Sequence, residues 1–373
     1  MSTGLVWHEL YMWHDTGTSA WVMPAGLSVQ PFAHIESAEG KRRIKNLVEV
    51  SGLLDHLVLL KPRAATEDEI LRLHTPEYVA RIKRESDALG GDAGDLTPFG
   101  PGSYEIALLA VGGCMTAVDA VLDGEVENAY ALVRPPGHHA ERDTGRGFCI
   151  FGNVALAAIH ARQVRGLSRV AIVDWDVHHG NGTEHAFYDD PTVLTVSIHQ
   201  DNNYPPNSGA ITDTGSGAGE GYNINVPLPP GSGVGAYVAT FERVVLPALR
   251  AFSPELILIA SGLDASAMDP LASMMMTSDG YRKLTRAMLG VAKEVCGGRL
   301  VICHEGGYSP AYVPYCGLAI IEELAGVQTD LADPLLDLLA SFGGQEIQPH
   351  QEAVIREAMK LAAAVRPQPA SHI

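Results

Sequence analysis

RVAIVDWDVHHGN, residues 169–181, is the stretch that decides the fold. It opens on an unbroken apolar run and then turns abruptly to carboxylates, imidazoles and glycine. A short run of Val, Ile and Leu without polar alternation is how a strand reads when helices cover both faces of its sheet. Similar runs stand at 129–133, 193–199, 256–260 and 300–303. Between them, apolar positions recur at helical spacing. In 103–122 they are Ile106, Leu109, Ala110, Gly113, Ala117, Ala120 and Val121. Comparable patterns cover 153–165, 235–252, 278–295 and 351–365, and in the last Val354, Ala358, Leu361 and Val365 share a face. Strand–helix alternation of this kind implies an α/β fold, a three-layer α/β/α sandwich around a mainly parallel central sheet. No Pro/Gly/Ser linker divides the chain, so one domain over 1–373 is expected, with a polar tail from about 366. The stretches 92–103 and 205–235 are rich in Gly and Pro, and 13–40 lacks periodicity. All three read as long surface loops, which in a compact domain are more often functional than idle.

Composition narrows the function. Of 373 residues, 46% are hydrophobic and 19% charged, enough for a sizeable core and too little charge for a disordered chain. Acidic residues outnumber basic ones 44 to 26, and the net charge is −18. Such a surface repels a phosphate backbone, so no direct nucleic-acid partner is expected, whereas a cationic substrate is welcome. No run is expected to approach the roughly 20 apolar residues that cross a bilayer, and the N-terminus lacks the pattern of a signal peptide. Five cysteines without a CxxC pair point to free thiols in a reducing compartment, hence the cytoplasm.

Ligands of open α/β sheets bind beyond the carboxyl ends of the strands. There the sequence places Arg134-Pro135-Pro136-Gly137-His138-His139, then Asp174-Trp175-Asp176-Val177-His178-His179-Gly180-Asn181, then Ser261-Gly262-Leu263-Asp264, then His304-Glu305-Gly306-Gly307-Tyr308. In an extended chain, residues two apart share a side, so Asp174, Asp176 and His178 are expected to project together. Two carboxylates and an imidazole on one spot repel unless a cation neutralises them, and the mixed donor set suits zinc. Asp264 can supply a third ligand, leaving the open position of a catalytic metal.

The segments RPPGHHA, DWDVHHGNGT, SGLDASAMDP and EGGYSP closely resemble the motifs of zinc-dependent histone deacetylases, and the resemblance runs over essentially the whole chain. With Asn181 and not Asp in DWDVHHGNGT, the pattern is similar to the class II branch and to bacterial histone deacetylase-like amidohydrolases, which share the arginase–deacetylase fold. The resemblance implies one Zn2+ held by Asp176, His178 and Asp264. It implies His138 and His139 at the attacking water, with His139 the base and later acid, Asp174 behind His138 and Asn181 behind His139. Because an amide stabilises an imidazolium less than a carboxylate does, His139 is expected to have the lower pKa of the two. Tyr308 would donate to the substrate carbonyl, while Gly147, Phe148, Tyr204 and Leu271 would line the substrate channel, Tyr204 replacing the phenylalanine common in relatives. Two structural potassium ions are also implied. Asp174, Asp176, His178, Ser197 and Ile198 match the inner site, and Phe187, Asp190, Val193 and Tyr222 the outer one.

The expected chemistry is hydrolysis of an acylated lysine in a peptide or protein, or of a small acylated amine. A two-metal ureohydrolase of the arginase type would need a carboxylate where Ser266 stands. A non-catalytic binder would not need Tyr308. An acetylpolyamine amidohydrolase would want an acidic residue after Asp269-Pro270, where Leu271 stands. Homo-oligomers are possible through the loops at 13–40 and 205–235.

Overall fold

The computed structural model describes residues 2–24, 26–27 and 29–366; the expected tail from 367 onward lies outside them. Eight strands form the central sheet. They are β1 (Thr3–Val6), β2 (Leu57–Leu60), β3 (Asn128–Ala131), β4 (Val170–Asp174), β5 (Val193–Gln200), β6 (Asn223–Leu228), β7 (Leu256–Ser261) and β8 (Leu300–His304), arranged β6-β5-β4-β7-β8-β3-β1-β2. Every neighbouring pair is parallel. Parallel strands all end on the same edge, so the loops after β3, β4, β7 and β8 meet there.

The unbroken apolar runs now have a cause. Side chains alternate across a sheet. Along β4, Ala171 and Val173 enter one core and Val170 and Ile172 the other; along β7, Ile257 and Ile259 oppose Leu256, Leu258 and Ala260. The first core is closed by Ile44 and Val48 of helix Glu39–Val50, Leu284 and Met288 of Ser278–Cys296, Ile320 of Val313–Ala325 and Ile355 of Pro349–Ala364. The second is closed by Val111 and Val118 of Ser103–Leu122 and Val154 of Asn153–Gln163. Both faces being dry, each fully buried Val, Leu or Ile contributes about 1.5–3 kcal/mol. The helix ends follow local chemistry: the Thr277 hydroxyl accepts from Gly280 N at the start of Ser278–Cys296, and Gly297 ends it at φ 65°.

Several expectations need correction. The stretch 205–235 is not a continuous surface loop, since it contains β6. Asn223 and Asn225 gave that strand an alternating polar pattern, and Pro227 is tolerated because β6 is a sheet edge. Strands β1 and β2 were not foreseen; each is four residues long, and β2 is an edge on which Leu59 is exposed. The helix expected at 235–252 is helical throughout but changes to a π turn over Phe241–Val245. In the C-terminal helix the expected stripe holds, Ala358 and Val365 being buried and Val354 and Leu361 packed half-buried against the same core, but the face is wider and also buries Gln351, Ile355 and Ala362. The expectation that no segment is long and apolar enough to cross a bilayer also fails: Ser103–Leu122 meets that test of length and composition, but it lies mostly buried inside the second core. Within 13–40, the short strands Met23–Pro24, Thr18–Ala20 and Phe32–Ala33 form a small antiparallel sheet, and Trp13, Trp21, Met23, Leu27 and Phe32 are exposed.

Candidate active site

The chain leaves β4 at Asp174 through two turns made by aspartate side chains. Asp174 Oδ1 accepts from Asp176 N at 3.0 Å, and Asp176 Oδ1 accepts from His178 N at 2.9 Å. These turns, not an extended strand, aim Asp176 and His178 to one side, while Trp175 and Val177 fall into the first core. Asp264 arrives from the loop after β7, its Oδ1 accepting from Val177 N at 2.9 Å. His178 Nδ1 then stands 3.1 Å from Asp176 Oδ1 and 3.2 Å from Asp264 Oδ2. Asp264 Oδ2 is buried and makes no hydrogen bond. One donor atom from each of the three residues lies within 4.8 Å of the others. Gly306 leaves room for this convergence, because a Cβ there would sit 2.2 Å from Asp264 Oδ2 and 2.7 Å from Asp176 Oδ2. A buried carboxylate oxygen without a donor, two further oxygen and nitrogen donors and a side-chain-free wall together fit a divalent metal. The electrostatics carry the same strain. Burial, then the charge of Asp176, pushes Asp264 up to about 6, and burial of His178 is outweighed by its two carboxylate partners, which hold it well above its usual range.

His138 and His139 come from the loop after β3, their rings 3.9 Å apart. His138 Nδ1 bonds Asp174 Oδ2 at 2.9 Å, and His139 Nδ1 bonds Asn181 Oδ1 at 2.8 Å. Burial would lower His138, but Asp176 and Asp174 raise it to about 10. His139 is held well below the usual range, first by burial and then by the neighbouring His138 and His178. The order is the expected one, but its cause differs. Asn181 itself favours the charged ring slightly, and burial beside two other imidazoles does the lowering.

Tyr308 follows β8 on the Gly306-Gly307 turn. Its backbone N donates to Asp269 Oδ2 at 2.7 Å, and its ring meets Phe148 edge-on at 5.6 Å. Lys41 Nζ stands 5.7 Å from its centroid. Lys41 belongs to a buried charge cluster: its Nζ lies 3.1 Å from Glu36 Oε1, and Arg134 donates to Glu36 from Nε and Nη2 at 3.0 and 2.8 Å. His139, His178 and Tyr308 stand at the floor of a cavity of about 580 Å³ including its mouth, walled by Gly147, Phe148, Tyr204, Leu271, Leu96, Asn203, Trp21 and Val22. Gly147, at φ 52°, admits no side chain: a Cβ would lie 2.5 Å from His139 Cδ2. Tyr204 turns its hydroxyl to Asp95 Oδ2 at 3.0 Å, so its ring, not its polar tip, meets His139, at a centroid distance of 5.1 Å.

Of the residues matched to cations elsewhere, Asp174 and Ser197 are register partners across β4 and β5, and Ile198 follows on β5. Ser197 Oγ is bonded to His199 Nδ1 at 2.9 Å. Phe187, Asp190 and Val193 lie on two successive turns, in which Asp190 N donates to Phe187 O at 3.0 Å and Val193 N to Asp190 O at 3.4 Å, and Tyr222 O accepts from Thr195 N across the edge strand. The Asp190 carboxylate is engaged by Arg162 at 2.7 Å.

Sequence reasoning passed over Glu36, Lys41, Asp269 and Glu305. Glu305 Oε2 accepts from Gly137 N at 2.5 Å and His138 N at 3.1 Å, fixing the histidine loop. Asp269 and Glu305 lie inside the quoted motifs and carried a signal; Glu36 and Lys41 lie in or beside the aperiodic segment and carried none.

Comparison with known proteins agrees with this arrangement. The profile of the histone deacetylase domain matches residues 34–324. A histone deacetylase-like amidohydrolase of Pseudomonas aeruginosa is 50% identical over 340 residues, covering 90% of each chain. The polyamine deacetylase HDAC10 of Homo sapiens is 37% identical over 356 residues, which span 90% of this chain and 49% of that one. Among solved structures, the HDA15 HD domain superposes with a TM-score of 0.84 at 31% identity, covering 97% of this chain and 96% of that chain. Motifs, fold and overall likeness agree: the chain belongs to the histone deacetylase family.

Proposed function

We propose that this protein is a zinc-dependent amidohydrolase that cleaves the amide between an acyl group and a lysine-like primary amine, giving a carboxylate and the free amine. One observation carries the reading: donor atoms of Asp176, His178 and Asp264 converge within 4.8 Å of one another, and His178 lines the same cavity as His139 and Tyr308. Zinc held by those three residues would act as the Lewis acid for the acyl carbonyl and the attacking water. His139, neutral and with its Nδ1 proton on Asn181, takes the proton of the water and returns it to the departing amine. The Tyr308 hydroxyl donates to the carbonyl oxygen as negative charge grows there, and its backbone bond to Asp269 fixes its approach. His138, paired with Asp174, supplies positive charge beside the same centre. Phe148 and Tyr204 clasp the alkyl chain.

Three features bear on the finer reading. Leu271 at the mouth offers a second ammonium no counter-charge, and Asp95 is already engaged by Tyr204, which favours acyl-lysine over acetylpolyamine substrates. The polyamine deacetylase among the relatives keeps the second substrate class as the alternative. Ser266 in place of a carboxylate favours one metal over two. The Asn181 form supports a class II reading, and the pairing of Asp174 with Ser197 supports potassium at the inner matched site. Five buried, unpaired cysteines support a reducing, cytoplasmic setting.

The test is a parallel assay of an acetyl-lysine peptide, a trifluoroacetyl-lysine amide and acetylspermidine, using enzyme of defined zinc content. Turnover of the lysine amides that vanishes on chelation and returns with zinc is expected. Full activity after stringent chelation would overturn the mechanism, and selective cleavage of acetylspermidine would overturn the substrate class.

A further inference from the structure

Behind the two histidines the second partners differ in kind. An ionised Asp174 can only accept, so beside it His138 carries its proton on Nδ1. Asn181 is an amide of nearly symmetric shape, and either end can face His139. With Oδ1 towards the ring, His139 is protonated on Nδ1 and its Nε2 is bare. With Nδ2 towards the ring, Nδ1 must accept, the proton moves to Nε2, and no lone pair is left for the channel. The residue behind the amide therefore decides. Asn181 Nδ2 donates to Glu141 Oε1 at 2.7 Å and to the His139 carbonyl at 3.3 Å, while Oδ1 meets His139 Nδ1 at 2.8 Å. Glu141 is kept ionised, first by its bond to His185, and Arg146 Nε stands 3.5 Å from the same Oε1. His185 Nδ1 lies 3.5 Å from Oε2.

We propose that Glu141 is a positioning residue: its carboxylate holds the Asn181 amide with the nitrogen outward and so sets which ring nitrogen of His139 is free to take a proton. Flipping the amide would exchange a charge-assisted hydrogen bond for an oxygen–carboxylate contact, a bias on the order of 100-fold against the unproductive orientation. A class II-like amide therefore performs here, with a carboxylate one residue further out, what a carboxylate performs directly behind His138. Glu141 touches neither substrate nor metal, and its side chain is a quarter exposed, so it is open to substitution. The assignment rests on the reading that His139 transfers the proton.

The experiment compares Glu141→Lys, Glu141→Gln, Asn181→Asp and the Asn181→Asp/Glu141→Lys double variant, all zinc-loaded. Each is followed by steady-state kinetics and by 15N NMR of the histidine ring nitrogens, with His139 assigned by difference from His139→Gln. A lysine at 141 presents donors only, so the amide should turn over. The Nδ1 signal of His139 should change from protonated to bare, and kcat should fall at least about 10-fold with KM within about 3-fold. Glu141→Gln, which can donate or accept, should populate both ring tautomers and lose no more than about 3-fold. In the Asn181→Asp background the sign should reverse. A carboxylate at 181 accepts from His139 and from the lysine at once, so adding Glu141→Lys should raise kcat above that of Asn181→Asp alone. Unchanged His139 tautomers in Glu141→Lys would overturn the proposal. So would a loss of equal size in both backgrounds, which marks plain structural damage. A switched tautomer with undiminished kcat would instead uphold the positioning role and refute His139 as the proton carrier.

Discussion

Gly306→Ala tests the proposed zinc site without removing any donor. Gly306 does not have a positive φ, so its backbone admits alanine. Its N–H donates to Asp176 Oδ2 at 2.9 Å and its carbonyl accepts from Leu263 N at 3.0 Å, and the substitution removes neither backbone group. The new methyl, however, would stand 2.2 Å from Asp264 Oδ2, 2.7 Å from Asp176 Oδ2 and 3.0 Å from the Tyr308 hydroxyl. Carbon–oxygen contacts settle near ~3.3 Å, so Asp264 Oδ2 must retreat by about 1 Å. Metal–ligand distances tolerate only about 0.2 Å, so that retreat removes a ligand. Losing an outer-shell partner alone costs about 10–100-fold in metal affinity, so the loss here should reach about 100-fold or more, about 2.7 kcal/mol. The overpacked core should lose about 1–3 kcal/mol of stability while keeping its fold. Chelator competition measures zinc affinity, and circular dichroism with thermal melting establishes the fold. Zinc binding within about 3-fold of the parent, in a folded variant, would refute the assignment of Asp176, His178 and Asp264 as one site.

Tyr308→Phe keeps the ring contact with Phe148 and removes only the hydroxyl, so kcat should fall about 100- to 1,000-fold with an unchanged melting curve; equal rates would remove the carbonyl-donor role. Glu36→Gln leaves Lys41 and Arg134 buried without their counter-charge and should cost about 3–5 kcal/mol in denaturant unfolding. Glu36 is fully buried, and burial alone would raise its pKa, but Arg134 and Lys41 together hold it far below the ordinary 4.5. A depressed folded pKa stabilises above the unfolded value and loses that contribution as pH falls through the folded one. Unfolding free energy should therefore decline from about pH 4.5 downward in the parent, and a flatter decline in Glu36→Gln is the checking result. Leu271→Glu places a carboxylate at the cavity mouth and should shift the ratio of kcat/KM for acetylspermidine over acetyl-lysine peptide upward by about 10- to 100-fold; an unchanged ratio would show that Leu271 does not gate the substrate.

The strand runs at 170–174, 256–261 and 300–304 were legible because a sheet covered on both faces must be apolar at every position, and a run of that kind needs no context to be read. The donors followed from the same runs, since Asp176, His178, Asp264 and Tyr308 stand within a few residues of strand ends that a parallel sheet brings to one edge. Short-range chemistry thus determined the layers, the edge and the types of residue waiting there. It could not determine β6, whose asparagines point into a polar network around Glu184, nor β1 and β2, whose four residues carry too little pattern. Only tertiary packing decided what each donor faces. Asp176 and His178 converge through side-chain turns, His139 is lowered by burial among other imidazoles, and Glu36, Lys41 and Arg134 meet from segments up to 98 residues apart. Hydrogen bonds and buried charges depend on distances through space, and the order of residues along a chain fixes those distances only after the sheet has closed.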